Sequence, residues 1–231
     1  MVDKYRCMKS GVIGVVSSDF SDIEPFEGTV SLEGFELTKC IEITDRVELP
    51  DGSTAISGRA AEEVITEGED VQIRDGSIGT YSTREKDLNY TEFLALPGEI
   101  VIVKSSAGTF AFDLIGSQTG TVVERAKFDL ESFVDHHQGD NFWQMGFYGT
   151  GGNADKGVVY GDNVQKDGEV GGVLESSKIN QIGLEHLYET EPIKITVTES
   201  GYVNVYDPSN YESEEFLRYF KDELLSYVQR P

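Results

Sequence analysis

Basic residues are scarce in this chain. Against 42 Asp and Glu stand 19 Lys and Arg, a formal net charge of −23 over 231 residues. Cysteine occurs twice, histidine three times and tryptophan once. No Cys-x-x-Cys pair exists, which excludes zinc knuckles and thioredoxin-type redox sites; Cys7 and Cys40 are expected as reduced thiols. No stretch approaches the ~18 apolar residues of a membrane span. The opening MVDKYRCMKSGVIGVVSSDF lacks the apolar core of a secretory signal. The expectation is a soluble, cytoplasmic protein with no membrane contact. No Gly-x-Ser-x-Gly elbow is present. Cys40 has no adjacent histidine. With no nucleophile in sight, the reading leans away from an enzyme, and no cofactor is expected.

What the chain has in excess is carboxylate. The acids recur from Asp3 to Glu223, mostly alternating with apolar residues, as on a folded surface. Self-repulsion at such a charge weakens a compact state in dilute salt, and the Debye length shrinks to about 3 Å at 1 M salt. The composition therefore points to a high-K+ or high-Na+ environment and a halophilic source, archaeal, viral or plasmid. Lys (11) outnumbers Arg (8), which runs against an extreme halophile. The competing reading is a DNA mimic, which needs its acids gathered on one face.

The pattern is strand-rich. Val12 to Val16 is a short apolar run, and residues 35–43 alternate with period two. LPDGS at 49–53 predicts a turn, and Val71 and Ile73 mark a further strand. Residues 97–115 predict a hairpin, with Ile100 to Val103 going out, a turn at 105–108, and Thr109 to Leu114 returning. A short helical turn is placed within 85–96. Asp129 is the expected N-cap of a helix that carries Leu130, Phe133, Val134 and His137 and stops at Gly139. Strands follow at 142–148 and 157–161, a short helix near 173–179, a strand at 182–188 and a hairpin at 193–207. Ser209 and Glu212 have capping-box spacing before an amphipathic helix over about 210–228. The fold class is α+β, with mostly antiparallel sheet, a few helices and the C-terminal helix packed on a sheet. A soft boundary near 116–122 divides a β-rich lobe, 1–118, from an α+β lobe, 119–231; one continuous domain is the alternative.

Three stretches are candidates for function. In 134–143, VDHHQGDNFW, the metal-ligating set is Asp135, His136, His137 and Asp140. The triplet Asp135-His136-His137 resembles the signature of the DHH phosphoesterases. That resemblance implies metal-dependent phosphodiester hydrolysis. The family's upstream His-x-Asp-x-Asp and its Gly-Gly-Gly-His are both absent here. Consecutive helical residues also point about 100° apart, so His136 and His137 are poorly placed to share an ion. The favoured reading is structural: imidazoles finishing a helix. His186 is expected as a half-buried packing residue on its strand.

The second stretch is the Gly-rich loop 149–157, with Gly151, Gly152 and Lys156. It satisfies Gly-x-Gly-x-x-Ala but runs into a strand rather than the helix that a dinucleotide fingerprint needs. The third is the aromatic segment Phe142, Trp143, Phe147 and Tyr148, apolar on both faces as for a doubly covered strand or an edge used for association. Together these give the binding candidates Phe142, Trp143, Phe147, Tyr148, Gly151, Gly152 and Lys156. The expected function is non-enzymatic and regulatory, through a protein partner or homo-oligomer. The alternatives are nucleic-acid binding through the basic cluster Lys4, Arg6 and Lys9, and a metal-dependent phosphoesterase.

Overall fold

The first apolar run forms β1 (Ser10–Val16), and it sits mid-sheet because both of its faces are apolar. The computed structural model describes residues 8–151 and 155–229. The next strands are β2 (Phe26–Leu32), β3 (Phe35–Glu48), β4 (Thr54–Arg74), β5 (Ser77–Leu96) and β6 (Ile100–Val103). After helix α1 (Phe110–Thr119) come β7 (Val123–Arg125), β8 (Lys127–Phe128) and α2 (Leu130–His136). Then follow β9 (Asn141–Tyr148), β10 (Lys156–Tyr160), α3 (Gly171–Glu175), β11 (Lys178–Tyr188), β12 (Glu191–Thr198) and β13 (Tyr202–Asp207). The chain closes with α4 (Ser213–Tyr219) and β14 (Val228–Gln229).

Twelve strands make one antiparallel sheet, in the order β10-β9-β11-β12-β13-β1-β6-β5-β4-β3-β2, with β7 also on β1; β14 and β8 pair separately. The expected α+β class and antiparallel sheet are what the chain forms. The sheet joins residues from both sides of 116–122.

Alternation sorts the apolar residues into two cores. Ile13, Val15, Ile100 and Ile102 face a core shared with α2, α4 and β9 to β13. Val12, Val16, Val101 and Val103 face a second core closed by Ala111, Phe112, Leu114 and Ile115 of α1. Gly14 permits this second packing, because a Cβ there would lie 2.8 Å from the Phe112 ring. Burial on both faces explains why β6 reads as an unbroken Ile-Val-Ile-Val.

Several local expectations need correction. Residues 109–114 are not a returning strand but a short 3-10 turn leading into α1. Over so few residues, period two and period 3.6 both fit FAFDLI, and the need to cover the sheet face selects the helix. The helical turn placed within 85–96 is absent; those residues lie in β5 and pair with β4 throughout. The capping box at the C-terminal helix is Glu212 with Glu215, three residues beyond Ser209. The regular helix ends at Tyr219 and continues as a wider turn, Phe220–Leu224, and a tight one, Leu225–Tyr227. The predicted α2 forms as read, and the Asp129 carboxylate accepts from the Ser132 amide at 3.0 Å.

β4 and β5 continue beyond the rest of the sheet as an arm. β3 pairs with β4 only as far as Lys39↔Glu62. From Glu63↔Leu88 to Arg74↔Ser77, β4 and β5 pair with each other, and among the described residues no other strand pairs with β4 there. At ~3.3 Å per residue, these rungs extend roughly 40 Å. Arg84 bridges Glu67 and Glu33, tying the β2–β3 turn to the arm.

Candidate functional site

His137 caps the C-terminal end of α2, its ring 4.4 Å from that of Phe133. The sharp turn after it brings Asp140 back, and the Asp140 carboxylate lies 2.8 Å from His137 Nδ1. His186 arrives from β11, with its ring 5.2 Å from that of His137. Both imidazoles are buried, at 6% and 8% exposure, while the Asp140 side chain is 37% exposed. His186 Nε2 shares a 2.8 Å hydrogen bond with the hydroxyl of Tyr219, itself fully buried on α4. Burial first, and His137 second, push His186 down to about 4, so it is neutral near pH 7. His137 Nε2 is buried with no hydrogen-bond partner among the described residues.

The structure therefore brings His137 and Asp140 together, but with His186 rather than with Asp135 and His136. Asp135 and His136 are exposed; Asp135 accepts from the Gln138 amide, and His136 lies against Tyr227. The helical separation of adjacent residues accounts for the split between His136 and His137. His186 was invisible to local reading because it comes from a distant strand. Its alternation with Ile182 and Leu184 pointed inward without naming a partner.

The aromatic segment divides between two environments. Phe142 and Phe147 of β9 are core residues, and Tyr148 is half-buried. Trp143 faces the other side, where Tyr160 stacks near it (6.4 Å), Tyr206 meets it edge-on (5.8 Å) and Lys194 Nζ lies 5.0 Å over the ring. Gly183 makes room for the indole, since a Cβ there would lie 2.5 Å from it. Gly151 takes a positive φ in the loop after β9, and Lys156 begins β10, exposed. Lys9 is occupied locally, donating to the carbonyls of Tyr206 and Ser209. Gly152, Lys4 and Arg6 lie outside the described residues.

The arm is the remaining candidate. Val71, Ile73 and Ile78 share one face near its tip, because Ile73 lies directly opposite Ile78. Both isoleucines are 75% exposed. The other face is polar there, with Tyr81 donating to Asp70 at 2.9 Å. In the tip rungs, residues 71–80, the only charges are Arg74 and Asp75, which cancel, while the next two rungs carry Asp70 and Glu69. At the root of the arm, β4 and β5 form one wall of a cleft of about 720 Å³, whose lining includes Met8, Val47, Leu94, Tyr211 and Leu217. Burial foremost, and then the Glu215 carboxylate, push Tyr211 up to about 12.

The chain resembles nothing it was compared with. No protein-family model, curated protein or solved structure matches it.

Two further surfaces bear on association. The sheet ends at β2 on one side and β10 on the other, and among the described residues no strand pairs with either outer edge. Val30 and Leu32 are exposed on β2, Val158 and Tyr160 on β10. Each edge carries one charge, Glu27 on β2 and Lys156 on β10.

Proposed function

We propose that this chain is a non-enzymatic assembly protein that binds further copies of itself, in the salt-rich cytoplasm of a halophile. The observation that carries the reading is the arm tip: apolar on one face, charge-neutral, and held by no strands but its own. A two-stranded hairpin alone is marginal in water at best. Each fully buried Val or Ile side chain contributes about 1.5–3 kcal/mol, so covering the tip yields a useful gain.

The sheet edges favour a second copy as the occupant. Free edges in monomeric proteins are usually blunted by lysine, proline or bulges. Here β2 carries no lysine or proline and β10 a single lysine at its first residue, and the single charges of the two edges are opposite in sign. Pairing β2 of one copy with β10 of the next is a head-to-tail contact, which closes into a ring or continues as a filament. High salt supports it by screening the carboxylate coat.

Size-exclusion chromatography with light scattering in molar KCl tests this. The wild-type chain is expected as a multimer. The Ile73→Glu, Ile78→Glu double variant is expected to be a folded monomer. Glu27→Lys and Lys156→Glu should each weaken assembly, and together restore it. A wild-type chain that stays monomeric at every concentration contradicts the reading.

A further inference from the structure

We propose that His137, Asp140 and His186 form a binding site for one divalent transition-metal ion of the zinc type, tying the end of α2 to β11. This set differs from the one the Asp-His-His triplet implies. It stands independently of the assembly reading.

One ligand atom from each of the three lies within 4.8 Å of the others. Zinc–nitrogen bonds of about 2.0–2.1 Å place tetrahedral ligands roughly 3.4 Å apart, so side-chain rotations on the scale of an ångström close the set. Two imidazoles and a carboxylate are the donor chemistry of zinc and its first-row neighbours, not of calcium or magnesium.

The second observation is the orphan nitrogen. A buried polar atom without a partner is costly, and His137 Nε2 is one, on a side chain more than nine-tenths buried. For this nitrogen and Asp140 to share an ion, the carboxylate must leave His137 Nδ1, from which it now lies 2.8 Å, and turn toward Nε2. The surroundings also fit a ligand role. Metal-bound histidines commonly use their second ring nitrogen in a hydrogen bond that fixes the ring, as Tyr219 does for His186 at 2.8 Å. The partial exposure of Asp140 gives an ion a way in and leaves room for water as a further ligand. The net charge of −23 raises the local cation concentration.

Titrating the purified full-length chain with Co2+ in molar KCl tests the proposal, because salt suppresses loose binding to surface carboxylates. One ion per chain is expected, with the visible d–d absorption of a four-coordinate, imidazole-ligated site. Asp140→Asn and His186→Gln should each weaken binding by at least about 10-fold. Asp135→Asn and His136→Gln should leave it unchanged. Should His186→Gln not fold, Asp140→Asn carries the test, since that side chain is part-exposed. Imidazole 15N shifts of the wild-type protein on adding Zn2+ give a readout without variants: His137 and His186 should move, and His136 should not. Binding without d–d bands, binding unaffected by Asp140→Asn, or shifts confined to His136 would each overturn the site.

Discussion

One hairpin serves two purposes along its length. At its root, Ile56, Phe93 and Ala95 are buried where β4 and β5 meet β6 and α1. At its tip, the same two strands pair rung for rung, yet Val71, Ile73 and Ile78 face outward. The hydrogen bonding is alike, and the covering layer differs. The root is held by burial on both faces. The tip keeps apolar residues that the isolated fold does not use, on the least charged stretch of a very acidic arm. Exposed apolar residues without a role in the fold point to a contact outside it, and that difference carries the assembly reading.

The contrast is sharpest in the cost of truncation. Phe93→Ala at the root removes a large side chain from a closed core, and should destabilise the chain by about 3–5 kcal/mol in urea unfolding. At the root as well lies the cleft with Tyr211. Its folded pKa is raised above the unfolded value near 10, so below pH 10 both states hold the proton. Between pH 10 and about 12 the unfolded state loses it first, and stability falls as pH rises. Tyr211→Phe should flatten that decline and change little near neutral pH. The smallest effect belongs to the tip. Ile78→Ala should shift monomer stability by no more than about 0.5 kcal/mol, as for an exposed side chain. A loss comparable to Phe93→Ala would mean that the tip is part of the core after all.

Much of this architecture was readable locally. β1 forms from its short apolar run, β3 and the β12–β13 hairpin follow their period-two patterns, and α2 begins at the Asp129 cap. β9 forms as expected but with a register shift at Trp143 that puts Phe142 and Phe147 in one core. Where local reading went astray, long-range packing decided. FAFDLI suits strand and helix equally, and the exposed β1–β6 face needed a helix. A short helical turn within 85–96 is not formed, because these residues pair with β4, where Arg84 and Lys86 meet Glu67 and Glu63 across the ladder. The three histidines were conspicuous, yet only the fold could place His186 beside His137 and leave His136 outside. The arm was half visible: Val71 and Ile73 marked a strand, but nothing local said that their face would stay uncovered.

Amide hydrogen exchange at two protein concentrations, in molar KCl, tests the arm most directly. In dilute solution the amides of residues 68–82 should exchange far faster than those of β1 and β6. At high concentration they should become protected, together with the outer amides of β2 and β10, while β1 and β6 stay as they were. Arm amides that exchange at one rate at all concentrations, whether fast or slow, would contradict an arm made to bind another copy.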